Sequence, residues 1–147
     1  IFSEFDRLTE KHGLEKIKTI GDAYMVVAGL PVPREDGVEA IANMALDMQE
    51  ATKQFKSLDG EPIGIRIGIN TGPVVAGVIG RNKFIYDLWG DTVNIASRME
   101  SQGAKNAIQV TQATRDRIED RFRLEERGII NVKGRGEMKT YWLRGRR

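Results

Sequence analysis

The chain contains no cysteine among its 147 residues, and it has a single histidine, His12. The absence of cysteine excludes disulfide frameworks, thiol catalysis and cysteine-ligated zinc, and it fits a reducing compartment such as the cytoplasm. No apolar run approaches the roughly 20 residues that a membrane-spanning helix needs. His12 stands just before Gly13, so we interpret it as a helix-terminal residue rather than a catalytic one.

The charge balance is close to even. The 23 lysines and arginines exceed the 21 acidic residues only slightly, which gives a net charge of +2. Such an excess is too small to indicate nucleic acid binding by itself. The hydrophobic content of 40% is ordinary for a globular protein. We therefore expect one domain that spans residues 1–147.

The hydrophobic pattern predicts alternating helices and strands. Phe2, Phe5 and Leu8 recur at helical spacing before Gly13, and a long helix is predicted over 36–55. Further helices are expected to begin after Asp91 and Thr111, each acting as an N-cap. Because several strands pair as hairpins, the predicted class is α+β. Strands are predicted at 14–19, 24–28, 63–69, 74–79, 84–89, 108–110, 122–132 and 137–143.

Two segments place polar side chains among apolar neighbours. The first is KIKTIGDAYM at 16–25, and the second is YDLWGDTVNIASRM at 86–99. Apolar neighbours exclude water, so polar groups there need partners or a ligand. Together the segments contain a candidate base reader, metal ligand and phosphate ligand, which suggests a nucleotide enzyme. The candidate side chains are Lys18, Asp22, Asp87, Asn94 and Arg98.

These segments, with GIINVKGRGEMKTY at 128–141, closely resemble the catalytic domain of class III adenylyl and guanylyl cyclases. The resemblance runs over essentially the whole chain. It implies a ferredoxin-like α+β sandwich, with an antiparallel-rich sheet and helices against one face. It also implies conversion of ATP to 3′,5′-cyclic AMP and pyrophosphate, through in-line attack of the ribose 3′-hydroxyl on the α-phosphate. Two magnesium or manganese ions would assist.

One family motif is absent from the sequence. In the family a strand with a phrase like F-x-D-I-x-G-F-T carries the first metal-binding aspartate, and it precedes the helix that begins near Ile1 here. We therefore expect an N-terminally truncated domain, weakly active or inactive as it stands.

Lys18 and Asp87 match the family's adenine-selecting pair. A lysine donates to the ring nitrogen of adenine, and a carboxylate accepts from its exocyclic amine. Guanine presents the opposite donor and acceptor pattern, and guanylyl members tend to carry glutamate and a small polar residue at these places. Without the resemblance, Lys18 would be interpreted as a solvent-facing strand lysine.

Asp22 matches the family's second metal-binding aspartate. Magnesium prefers hard oxygen ligands, usually one or two carboxylates plus substrate phosphates. The alternative is a turn aspartate that bonds to nearby backbone amides.

Asn94 and Arg98 are four residues apart, so they share one helix face. The resemblance implies that Asn94 orients the ribose and that Arg98 stabilises the transition state. The alternative for Arg98 is a surface ion pair with Glu100 or Asp91. The resemblance assigns Lys133 to the terminal phosphates, with Arg135 a weaker candidate, whereas the pattern alone indicates a basic hairpin turn.

In this family the site lies between two protomers. This chain carries both sets of residues, so the resemblance implies a head-to-tail homodimer with two equivalent sites. We expect a cytoplasmic domain, with any sensor or membrane segment outside these residues.

Two other functions remain open: a catalytically silent cyclase-like dimerisation or nucleotide-binding module, and an RNA-binding sheet. The RNA-binding sheet requires exposed aromatic residues, and only 7% of the residues are aromatic.

Overall fold

The structure is a computed structural model that describes residues 2–20, 23–29, 34–56, 58, 60–61, 63–73, 75–79, 85–132 and 134–147, with only the backbone described for 20, 75–79 and 85–89. The helices are α1 (Phe2–Lys11), α2 (Gly37–Thr52), α3 (Asp91–Ser101) and α4 (Gln112–Ile118). The strands are β1 (Glu15–Ile20), β2 (Ala23–Val27), β3 (Arg66–Ile69), β4 (Val75–Ile79), β5 (Ile85–Trp89), β6 (Ala107–Thr111), β7 (Phe122–Val132) and β8 (Gly136–Arg146).

The described strands form three sheets. The largest has the strand order β3-β6-β8-β7, in which β3 pairs with β6 in parallel and the other pairs are antiparallel. Strands β1 and β2 form one antiparallel ribbon, and β4 and β5 form another. The predicted α+β class is confirmed, and antiparallel pairing predominates as expected.

The two faces of the four-stranded sheet carry different helices. Ile67 and Ile69 of β3 join the main hydrophobic core, to which α2 and α4 contribute. Side chains alternate along a strand, so Gly68 faces the other side, and there it meets the backbone of α3. The expected helical layer on one face is therefore present, and α3 adds a layer on the second face.

A second hydrophobic cluster holds the β1–β2 ribbon against the helices. Phe5 and Leu8 of α1 pack with Leu14 and with Met44 of α2, and Tyr24 of β2 packs against this group. The rings of Phe5 and Tyr24 meet edge to face with centroids 5.6 Å apart. This contact fixes the ribbon that precedes and follows Asp22.

The structure corrects two sequence predictions. The strand predicted over 63–69 begins only at Arg66, because the amide of Ile63 bonds to the carbonyl of Phe55 rather than joining a sheet ladder. Asp91 is not the cap of α3: Gly90 occupies the N-cap position, and Asp91 is the first helical residue.

The predicted N-cap at Thr111 is confirmed. Its hydroxyl accepts a hydrogen bond from the amide of Thr114. No described helix has the length and apolar character needed to cross a membrane.

Candidate active site

Helix α3 presents two opposite faces. Ile95 and Met99 are 4% and 0% exposed and pack with Val132 of β7. Asn94 and Arg98 are both exposed, one turn apart along the helix. The apolar face fixes the helix to the sheet, and the polar pair is therefore turned towards solvent on a rigid support.

The acidic side chains that might neutralise Arg98 are engaged elsewhere. Glu100 pairs with Arg66 of β3, with Nε and Oε2 3.0 Å apart. Asp91 pairs with Arg135, with Nη1 and Oδ2 2.8 Å apart. Within the described part of the chain, Arg98 forms no ion pair and no side-chain hydrogen bond. The surface ion pair considered from the sequence is therefore not formed, and the Arg98 guanidinium retains its donors for an anion.

The ion pair between Asp91 and Arg135 joins the β7–β8 turn to the start of α3. Lys133, the residue predicted to contact phosphates, lies outside the described residues, two positions before Arg135. Behind the ion pair is a cleft of about 390 Å³. Its lining comes from the segment after β3, the starts of α3 and α4, and β8: Asn70, Thr71, Gly72, Pro73, Asp91, Thr92, Ile95, Thr111, Gln112, Ala113, Arg135, Glu137, Met138 and Lys139.

The segment after β3 is fixed to both helix starts by hydrogen bonds. The side-chain amide of Asn70 donates to the carbonyl of Thr92 at 3.1 Å, and its oxygen accepts from the hydroxyl of Thr111 at 2.7 Å. The hydroxyl of Thr71 lies 2.9 Å from that of Thr114. These bonds set the relative positions of α3 and α4.

The predicted base readers lie on two ribbons that touch. Lys18 is half-buried on β1, where its Cα pairs with that of Met25. The backbone of Asp87 lies on β5 opposite Gly77, and its side chain lies outside the description. Strands β1 and β5 pack against one another. The strands that carry Lys18 and Asp87 are thus neighbours within a single chain.

A polar network holds the β1–β2 ribbon to α1. The Tyr24 hydroxyl donates to Oδ1 of Asp6 at 2.6 Å and lies 3.1 Å from the hydroxyl of Thr9. Lys16 Nζ pairs with the same Asp6 oxygen at 3.3 Å. Burial raises the pKa of Tyr24 to about 12, and the hydrogen bond to Asp6 adds to the rise. The phenol therefore keeps its proton and serves as a permanent donor.

The described residues contain no group of three or more histidine or acidic side chains that could hold a metal ion. Asp22, the predicted metal ligand, lies outside them. The prediction of a metal site therefore concerns a part of the chain that the structure does not describe.

His12 belongs to an ion cluster remote from α3. Its Nε2 lies 2.7 Å from Oδ2 of Asp47, which also pairs with Lys11. Arg146, near the end of β8, binds the other Asp47 oxygen at 3.1 Å. Burial opposes ionisation of Asp47, but the bonds from His12 and Arg146 and the charge of Lys11 outweigh it and lower the pKa of this carboxyl below its ordinary value. The cluster ties the end of the chain to α1 and α2, in keeping with a structural His12.

One polar contact of α3 was not anticipated. Gln109 is 0% exposed in the middle of β6 and bonds to the carbonyl of Met99 at 2.9 Å. The sequence does carry a signal, since a glutamine stands between the apolar Ile108 and Val110. A polar side chain in a buried strand needs a partner.

The sequence is similar to a known protein family and to several named proteins. The family model of the adenylate and guanylate cyclase catalytic domain matches residues 1–145. An adenylate cyclase of Mycobacterium tuberculosis is 53% identical over 147 residues, which are 100% of this chain and 33% of that protein. Guanylate cyclase soluble subunit beta-2 of Rattus norvegicus is 48% identical over 145 residues, 97% of this chain and 21% of that protein.

The chain thus spans a third or less of the length of these two curated relatives. Among solved structures, the guanylate cyclase domain of RhGC from Catenaria anguillulae, in complex with GTP, superposes with a TM-score of 0.92 at 42% identity. That match covers 99% of this chain and 80% of the other. On this sequence and structural similarity, the chain belongs to the family of adenylate and guanylate cyclase catalytic domains.

Proposed function

We propose that residues 1–147 form the catalytic domain of an adenylate cyclase, a cytoplasmic ATP-binding lyase that makes cyclic AMP and pyrophosphate for signalling. The observation that carries this proposal is the state of Arg98. It is exposed on a rigid helix beside Asn94, while Glu100 and Asp91 pair with other arginines. A cation kept available in this way suits a phosphate that gains negative charge during reaction.

Overall similarity does not distinguish ATP from GTP, because an adenylate cyclase and a guanylate cyclase subunit are similar to the chain at 53% and 48% identity. We therefore infer the choice of base from Lys18 and Asp87. Lys18 would donate to the ring nitrogen of adenine, and Asp87 would accept from its amine. Guanine presents the reversed donor and acceptor pattern, so neither group would meet a complementary atom on the base. Each mismatched polar contact at a binding site costs roughly 1–3 kcal/mol, so two mismatches favour ATP substantially.

In the proposed reaction, the 3′-hydroxyl attacks the α-phosphate in line and pyrophosphate leaves. Asn94 orients the ribose, Arg98 binds the phosphate oxygens most strongly in the transition state, and Lys133 holds the terminal phosphates. Asp22 would hold magnesium or manganese, and two such ions would supply charge neutralisation and a more acidic 3′-hydroxyl. A site with one protein carboxylate is compatible with magnesium when substrate phosphates complete the coordination.

We further propose a head-to-tail homodimer with two shared sites. The adenine-reading ribbons and α3 of one protomer would meet the metal-binding hairpin of its partner. Because a twofold axis repeats each contact, two equivalent sites would form.

The test is cyclisation of ATP and of GTP by the full-length protein with manganese, compared with its Arg98→Ala variant. We expect cyclic AMP formation that the variant largely loses, and a lower rate with GTP. Nucleotide binding without turnover in the wild type would instead favour the silent module. A higher rate with GTP would refute the assignment of the base readers.

A further inference from the structure

The last turn of α3 is held by side chains from two strands of the sheet. Nε2 of Gln109, on β6, donates to the carbonyl of Met99 at 2.9 Å. Nη1 of Arg127, on β7, donates to the carbonyl of Gln102 at 2.6 Å and also to Oε1 of Gln109. We call Gln109 and Arg127 the α3 clamp.

The clamp is itself fixed by the sheet. The Arg127 guanidinium lies over the ring of Trp142, with its carbon 4.8 Å from the ring centroid. Trp142 stands on β8 in register with Gln109 of β6, so the ring under Arg127 belongs to the strand next to Gln109. A guanidinium stacked on an aromatic ring loses less freedom on binding a carbonyl than a free one would.

The clamp acts on the turn that contains Arg98. The amide of Gln102 donates to the carbonyl of Arg98 at 2.9 Å, and Arg127 binds the carbonyl of the same Gln102. Carbonyls in the last turn of a helix have no partner within the helix, and such ends fray unless other donors bind them. Asn94 lies one turn earlier, where the helix is bonded internally. A loosened clamp would therefore displace Arg98 more than Asn94.

We infer that Gln109 and Arg127 are positioning residues that hold Arg98 in its reactive place. This inference rests on the proposed function, because it assumes that Arg98 meets the α-phosphate. Misplacement of a catalytic group through loss of a supporting contact costs on the order of 10-fold or more in rate. Substrate binding by the ribbons would be largely unchanged.

The experiment compares Arg127→Met with Arg144→Met in the full-length protein. Arg144 is a matched control, since it also lies over Trp142, at 5.6 Å, and pairs with Glu125 rather than with α3. We expect Arg127→Met to lower kcat for ATP roughly 10-fold with KM changed less than about twofold. Arg144→Met should leave both near wild type. Arg127→Lys, which keeps one donor, should restore part of kcat.

Hydrogen exchange supplies a readout without turnover. In Arg127→Met the amides of Gln102 and Gly103 should exchange faster than in wild type and in Arg144→Met. In an Arg98→Ala background, adding Arg127→Met should cause no further loss of kcat, because the positioned group is already absent.

The outcomes separate the two proposals. If Arg98→Ala lowers kcat but Arg127→Met behaves like Arg144→Met, the clamp is refuted and the proposed function stands. If Arg127→Met lowers kcat by the same factor in the wild-type and in the Arg98→Ala background, Arg127 acts through the overall stability of the fold and not through Arg98. The inference is then also wrong. If Arg98→Ala itself retains full kcat, the proposed role of Arg98 is wrong, and the inference about the clamp, which rests on that role, is wrong with it.

Discussion

Gly68 and Glu100 meet backbone to backbone, with no side chain between strand β3 and helix α3. A Cβ atom built on Gly68 would lie 2.6 Å from the carbonyl oxygen of Ala96 and closer still to the backbone nitrogen of Glu100. These atoms belong to the helix backbone and cannot rotate away. The position of Arg98 relative to the sheet therefore depends on the absence of a side chain at residue 68.

Gly68→Ala should push α3 away from β3. Overpacking of this kind costs roughly 1–3 kcal/mol in the free energy of unfolding, and we expect kcat to fall as well, because Arg98 moves with the helix. Gly64→Ala is the control, since the three atoms nearest to a Cβ there belong to the side chains of Lys105 and Asn106, which can move aside. Urea unfolding of both variants measures the difference. If both variants lose the same free energy of unfolding, α3 accommodates the added methyl group at residue 68 without a specific cost.

Arg98→Ala should lower kcat far more than it raises KM for ATP. In the proposed reaction the guanidinium would matter most while charge develops on the α-phosphate, and loss of one such group costs about 10²-fold or more. Arg117→Ala, at another exposed helix arginine, is the control and should remain near wild type. An effect confined to KM would make Arg98 a ground-state binder.

Lys18→Glu combined with Asp87→Cys should lower ATP use and raise the relative use of GTP. In the proposed site, the exchange would reverse the hydrogen-bond pattern offered to the purine, although the absolute rate should fall because the geometry is not rebuilt. Lys16→Glu is the charge-matched control on the same strand, where Lys16 pairs with Asp6. Cyclisation rates for each nucleotide give the ratio. If the ratio stays constant in the double variant, these residues do not select the base.

Asp22→Ala and Arg98→Ala homodimers should each be nearly inactive, and mixing them should restore activity. In a mixed dimer one site collects both changes and the other collects neither, so each mixed dimer reaches at most about half the activity of a wild-type dimer. Subunit exchange must be verified by labelling the two variants separately. Exchange without recovery would contradict the shared-site proposal.

Asp47 should make folding stability depend on acid pH. Its pKa is lowered in the folded chain, so its ionic contribution is fully present above the ordinary value of 3.8 and is lost as the pH falls through the lower folded value. The difference in unfolding free energy between wild type and Asp47→Asn should therefore shrink as the pH falls below 3.8. Asp120→Asn, at an exposed aspartate with no ion pair among the described residues, is the control. If the difference in unfolding free energy stays the same in acid, Asp47 contributes to folding stability through packing and neutral hydrogen bonds and not through its charge.

Local chemistry made several elements predictable. Thr111 was expected to cap the helix 112–118 because a threonine hydroxyl before an apolar-periodic segment satisfies a free amide, and the structure has this bond. The same reasoning failed at Asp91. There the carboxylate bonds to Arg135, 44 positions away in the chain, and Gly90 adopts a φ of 107° that suits glycine. Long-range pairing of this kind leaves no trace in local spacing.

The candidate site likewise combines features that local spacing predicts with features that depend on long-range contacts. The spacing of Asn94 and Arg98 predicted their common face, because helix geometry is local. The sequence did not indicate that Glu100 would pair with Arg66, or that Gln109 would bind the end of α3, since both depend on which strands become neighbours. The roles of all six predicted site residues stay predictions, and Asp22 and Lys133 also lie outside the described residues.

The separation of the described strands into three sheets has an evolutionary consequence. Lys18 lies on the β1–β2 ribbon, whose described residues are absent from the main core around Ile108 and Phe122, and Asp87 lies on the β4–β5 ribbon, outside the four-stranded sheet. Arg98, in contrast, lies on a helix packed directly on the four-stranded sheet. Under the proposed function, a few substitutions on the ribbons would change the purine preference, while Arg98 and its supports would stay under the packing constraints of the folded core.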